Sequence, residues 1–152
     1  MADPSPKQQL DDFIAKYEPK IAAETRKVLA AMRKRLPGML ELVYDNYNAL
    51  AVGFGPSERA SDVVFSIAVY PRWISLFFFQ GAKLKDLTKR LKGAGAKARH
   101  IVLAEGAKTL ADPDVAALMS QALKLSPPPA AGQKHRLIIK SISAKQRPRR
   151  PA

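Results

Sequence analysis

The chain of 152 residues contains no cysteine, which excludes disulfides and thiolate metal sites. Histidine is almost as scarce, with only His100 and His135 present. Neither has a carboxylate neighbour at helical spacing, so they compose no tetrahedral site and no facial triad, and no metal ligand is assigned. No serine stands in a nucleophile-elbow pattern. Ser66, Ser75, Ser141 and Ser143 fall in strand-like runs with no recognisable base or orienting partner, so no catalytic residue is assigned either. The apolar stretch around residues 73–79 is far too short to span a bilayer, and the start, MADPSPKQQLDDF, lacks the apolar region of a signal peptide. A soluble cytoplasmic protein of bacterial type, without cofactor or membrane partner, is the expectation. The last absence is the most informative: no acidic residue follows Asp114.

That gap unbalances the molecule. Residues 1–71 carry nine Lys/Arg and nine Asp/Glu, whereas residues 72–152 carry seventeen against four, so the second half holds the entire net charge of +13. A field of one sign attracts polyanions, although it says nothing about fold. The remaining composition, 47% apolar and 26% charged, is that of an ordinary globular domain.

Periodicity supplies the architecture. Residues 1–9 are a loose lead-in with two prolines, and Leu10, Phe13, Ile14 and Tyr17 then mark one face of a short helix. Pro19 suits the first turn of a second helix, striped by Ile21, Thr25, Val28, Leu29, Met32 and Leu36 and stopped by Pro37-Gly38. The period then shortens to two. Residues 42–45 and 49–54 read as strands about a bend at Asn46-Tyr47-Asn48. Residues 63–70 and 73–79 form an antiparallel hairpin through Pro71-Arg72, with a turn of three or four residues. Both faces of 73–79 are apolar, which predicts a strand covered, at least in part, on each side. Leu84, Leu87 and Leu91 allow a short lysine-faced helix ending at Gly93, and 99–103 is a short strand. Asp112-Pro113 caps a helix striped by Val115, Leu118, Met119, Ala122 and Leu123, which the triple proline at 127–129 follows. Residues 137–142 read as a final strand, and 144–152 as a disordered basic tail. An α+β domain over 10–143 is predicted: an antiparallel sheet with helices packed on it.

Several stretches resemble the YdhG-like family (domain of unknown function 1801): TRKVLAAMRKRLPGMLELVYDNYNALAVGF, VVFSIAVYPRWISLFFF, LKGAGAKARHIVL and DPDVAALMSQAL, together spanning about residues 10–125. The resemblance implies a small bacterial α+β domain. Some members carry a frataxin-like iron-chaperone label, and an acidic ridge would be needed for that role. Here Asp11, Asp12, Glu18 and Glu24 share their helices with Lys16, Lys20, Arg26 and Lys27. Where many members show Gly-Met-Pro after the first strand, this chain has Asn46-Tyr47-Asn48, and the strand and tail after Pro129 are features of a subset.

The candidate sites follow the charge. Lys92, Gly93, Gly95, Lys97 and Arg99 combine glycine-rich backbone with cations that could meet an anion, and the structural alternative is a plain helix stop and loop. Lys145, Arg147, Arg149 and Arg150, held extended by prolines, could neutralise phosphates without reading bases, or simply keep the chain soluble. Tyr47 and Trp73 are the aromatics placed to line a pocket. The expected function is therefore a non-enzymatic binding or adaptor module whose basic residues share one face and contact a nucleic acid or an acidic protein, weakly and without sequence preference. The alternative is a carrier of a small molecule or iron, using a cleft between sheet and helices. The edge offered by residues 137–142 could also pair two copies into a homodimer.

Overall fold

The computed structural model describes residues 3–151. Helix α1 (Pro6–Ala15) starts earlier than its apolar stripe because Ser5 caps it, its hydroxyl accepting the Gln8 N–H at 3.1 Å. Helix α2 (Pro19–Arg35) buries Val28, Leu29 and Met32, and its last turn ends in three cations that complement the helix dipole. Six strands follow: β1 (Leu40–Asp45), β2 (Leu50–Gly55), β3 (Phe65–Val69), β4 (Ile74–Phe78), β5 (Arg99–Val102) and, after helices α3 (Ala107–Leu110) and α4 (Pro113–Lys124), β6 (Arg136–Ile142). Their order in the one sheet is β5-β4-β3-β2-β1-β6.

The α+β class holds, and every strand pair but one is antiparallel. Strand β6 instead runs parallel to β1, with Lys140 as an extra residue where the register slips beside Val43 and Tyr44. The long crossover through α3 and α4 returns the chain to the end where β1 begins, and only a parallel pairing fits that path. Strand β6 is an edge, as a pairing surface for a second copy requires.

Helices cover one face of the sheet. Val43, Val52, Ile67, Leu76, Phe78 and Ile101 point into that core with Leu10, Ile14, Leu29 and Met119. The opposite face has its own small cluster, Leu40, Leu42 and Val63 with Tyr44 and Ile138, and no helical residue joins it. Helices cover β4 on one side, where Ile74, Leu76 and Phe78 are buried, and the other side is covered in part, with Ser75 buried and Phe77 half-buried, while Trp73 and Phe79 just beyond its ends remain 44% and 37% exposed.

Two further expectations are corrected. Residues 84–91 form no helix. The Asp86 carboxylate takes the N–H groups of Arg90 and Leu91 at 2.9 and 2.8 Å, Lys89 sits at φ +55°, and Leu87 is 91% exposed. Leu84 and Leu91 pack against the core without it, so the three leucines never share a face. The tail is not an unstructured appendage. Residues 143–151 fold back over the turn between β1 and β2, for a reason given by one buried carboxylate.

Candidate anion groove and aromatic sheet face

Strand β1 carries two acids among its core-facing positions, Glu41 and Asp45, both fully buried. A buried carboxylate needs a partner, and each finds partners from other segments. Glu41 receives Arg33 of α2 and the His135 ring just before β6. Asp45 receives Lys16 at 2.9 Å and the guanidinium of Arg149 at 3.0 Å. Burial pushes the Asp45 carboxyl up, but hydrogen bonds from Lys16, Gln146 and Arg149 outweigh it and hold the group below the usual carboxylate range.

Arg149 is thus an anchor. It is 6% exposed, bonds to the Asn46 and Tyr47 carbonyls, and lies 5.9 Å from the centre of the Tyr17 ring. Around it, Ser143 N–H reaches Asp45 O at 2.9 Å, Arg147 N–H reaches Tyr47 O at 2.8 Å, and Arg150 Nε reaches Lys16 O at 3.1 Å. Pinned this way, the tail lies beside the β3–β4 connection, a four-residue turn closed by Tyr70 N–H to Trp73 O at 2.9 Å.

Between tail and turn runs an open groove of about 1040 Å³, lined by Tyr70, Arg72, Trp73, Arg147, Pro148 and Arg150 among others. Tyr70 and Trp73 stack at 4.8 Å between ring centroids with planes 21° apart. Among the described residues no carboxylate side chain lines this groove, while three guanidiniums do. Each guanidinium is a rigid planar fork suited to phosphate or carboxylate oxygens, and the ring pair supplies a flat apolar wall.

The other predicted residues lie elsewhere. Tyr47 borders a separate trough of about 550 Å³ on the open sheet face, with Ala51, Ser66, Ala68, Phe77 and Phe79. Trp73 also touches a smaller cleft of about 420 Å³ between α2 and the ends of β4 and β5, where Glu24 and Glu105 are neighbours. Tyr47 and Trp73 therefore do not close one pocket. Lys92, Gly93, Gly95, Lys97 and Arg99 sit at the opposite end of the sheet, since Arg99 pairs with Phe78 and the tail crosses near Asp45. The Lys92 N–H is spent on His100 O at 2.8 Å, and the Arg99 guanidinium bonds to the Gly95 and Ala98 carbonyls. Lys97 does line a fourth cavity, of about 430 Å³, with Lys83 and Phe79. Lys145 is exposed. The two basic segments accordingly form two separate patches, not one continuous face.

Sequence reasoning missed Arg72 and the acid anchors. Arg72 stands in a turn between two apolar strands, a position that presents a side chain to solvent, and that signal was available. The histidines have structural neighbours: His100 stacks on Phe77 at 5.1 Å, and His135 meets Glu41. Among the described residues there is no cluster of three or more His, Cys, Asp or Glu able to hold a metal ion, and no helix long and apolar enough to cross a membrane. Comparison with protein-family models, with curated proteins and with solved structures finds no match to this chain.

Proposed function

We propose that the protein is a non-enzymatic binding module whose arginine groove takes an anionic polymer. One observation carries this: Arg72, Arg147 and Arg150, drawn from two distant segments, converge on the Tyr70–Trp73 stack with no acidic side chain in the lining among the described residues. Binding through backbone anions is sequence-blind, and no helix enters the groove to read base edges. The kinship with YdhG-like domains belongs to the same proposal. It rests on the order of the quoted segments, and it leaves this groove to the chain's own tail. A cytoplasmic setting suits a cysteine-free chain of this kind.

The test is retention on heparin. The wild-type chain should elute at higher salt than the Arg72→Ala/Arg147→Ala/Arg150→Ala variant, because each lost phosphate-like contact reduces salt sensitivity. Elution of the two at the same salt, with folding unchanged by circular dichroism, refutes the groove as the contact.

A further inference from the structure

The groove does not end at the turn. It shares Asn48 and Tyr70 with the trough on the open sheet face, and the trough shares Phe79 with the cavity holding Lys83 and Lys97. The two basic patches that the sequence suggested as one surface are therefore the ends of one track. Among the described residues, five cations line its three parts, Arg72, Arg147 and Arg150 at one end and Lys83 and Lys97 at the other, and no carboxylate side chain lines any of them.

The middle of the track is aromatic, not charged. Phe77 and Phe79 line the trough about 6.6 Å apart along the chain, and Trp73, four residues before Phe77 and about 13 Å from it, borders the groove at the near end. Ala51, Ser66 and Ala68 give a low floor beside them. Phe77 is backed by His100 at 5.1 Å with planes 28° apart, so a further ring is already stacked on the same face. Helices occupy the other side of the sheet and leave this one open.

We infer that the occupant is a single-stranded nucleic acid lying across the open face, its phosphates held at the two cationic ends and its bases on the β4 rings. Every base has a π-face, so stacking of this kind tolerates any sequence. A duplex hides its bases in its own stack and would leave the rings uncovered. An acidic peptide would satisfy the arginines but has no recurring flat group for Trp73, Phe77 and Phe79. The span from Trp73 to Phe79 is about 20 Å.

This inference rests on the groove reading, and the experiment separates the two. Fluorescence anisotropy would measure binding of the full chain to a labelled dodecamer oligothymidylate, a trinucleotide and a dodecamer duplex at one salt concentration. Heparin elution would be run in parallel. Trp73 is the sole tryptophan, so its emission reports stacking directly. The expected result is tighter binding of the dodecamer than of either competitor, with Trp73 quenched by the oligonucleotide and not by heparin. Phe79→Ala and the milder Phe79→Leu should each weaken oligonucleotide binding, the former by about 5- to 150-fold, and leave heparin elution unchanged. Lys83→Ala/Lys97→Ala should reduce the salt slope by about 1.4. Equal affinity for single strand and duplex, with Phe79 variants neutral and heparin retention intact, overturns the inference and spares the groove. Failure of the wild-type chain to bind either polyanion overturns both.

Discussion

Arg149→Ala is the sharpest structural perturbation, because the account makes this residue the bolt of the tail. Its guanidinium is 6% exposed and bonds to Asp45 at 3.0 Å, and it also reaches the Asn46 and Tyr47 carbonyls. Breaking a buried pair from one side costs about 3–5 kcal/mol when the remaining charge is stranded. Asp45 would retain Lys16 at 2.9 Å, so its charge is not fully stranded. The loss should therefore sit at the low end, about 3 kcal/mol. For a chain of this length that is a fall in Tm of about 6–12 °C. Urea denaturation reads the first number and a thermal melt the second. Limited trypsin digestion adds a local test: cleavage after Lys145 should accelerate, because the backbone bond from Arg147 to Tyr47 no longer holds. Arg147→Ala, whose side chain is exposed, should stay within about 0.5 kcal/mol of wild type. If Arg149→Ala is equally silent and the tail resists trypsin as before, the docking of the tail on Asp45 is wrong.

Three other expectations follow from the same geometry. Asp45 titrates below the ordinary carboxylate range in the folded state, so its stabilisation is full above about pH 4, near the unfolded value, and is lost as pH falls through the folded one. Tail amides should lose exchange protection across that acid window in the wild-type chain, whereas Asp45→Asn should show a pH-independent, weaker protection. Gly106 lies at φ +60° and ψ −128°, and an added Cβ would sit 1.9 Å from the Glu24 carboxylate that accepts the Ala107 N–H at 2.8 Å. Gly106→Ala should thus destabilise by about 2–4 kcal/mol in urea denaturation, strain and lost capping together. Leu87→Ala should change stability by less than about 0.5 kcal/mol, and Leu91→Ala by clearly more, because Leu87 is 91% exposed and Leu91 packs on the core. A cost of about 2 kcal/mol or more for Leu87→Ala would restore the helix that its spacing suggested.

Local chemistry was legible wherever it was also decisive. Pro19 and Pro37-Gly38 bracket α2 because backbone geometry alone dictates both ends, and the alternation at 63–79 needed only the period of two. Leu84, Leu87 and Leu91 misled because three apolar residues at helical spacing are also compatible with a chain that uses two of them. Asp86 decided the matter by capturing two backbone N–H groups, a choice that periodicity does not register. The direction of β6 was hidden for another reason: a strand's own residues do not say which way a crossover returns it. The tail carries a similar lesson for the site. Its composition is that of a solvated segment, and only the burial of Asp45 on a distant strand turns Arg149 into a core residue. Arg72 and Trp73 were visible as neighbours in one turn, yet their convergence with Arg147 and Arg150 depends on that anchor.

The most direct measurement of the central claim is an amide chemical-shift map of the full chain titrated with dodecamer oligothymidylate. The account expects the largest changes at 47–48, 70–73 and 147–150, continuing across 77–79 on the open face and reaching Lys83 and Lys97 as saturation approaches. Changes concentrated instead on the outer faces of α1, α2 and α4, with the Tyr70–Trp73 turn and the tail undisturbed, would contradict it.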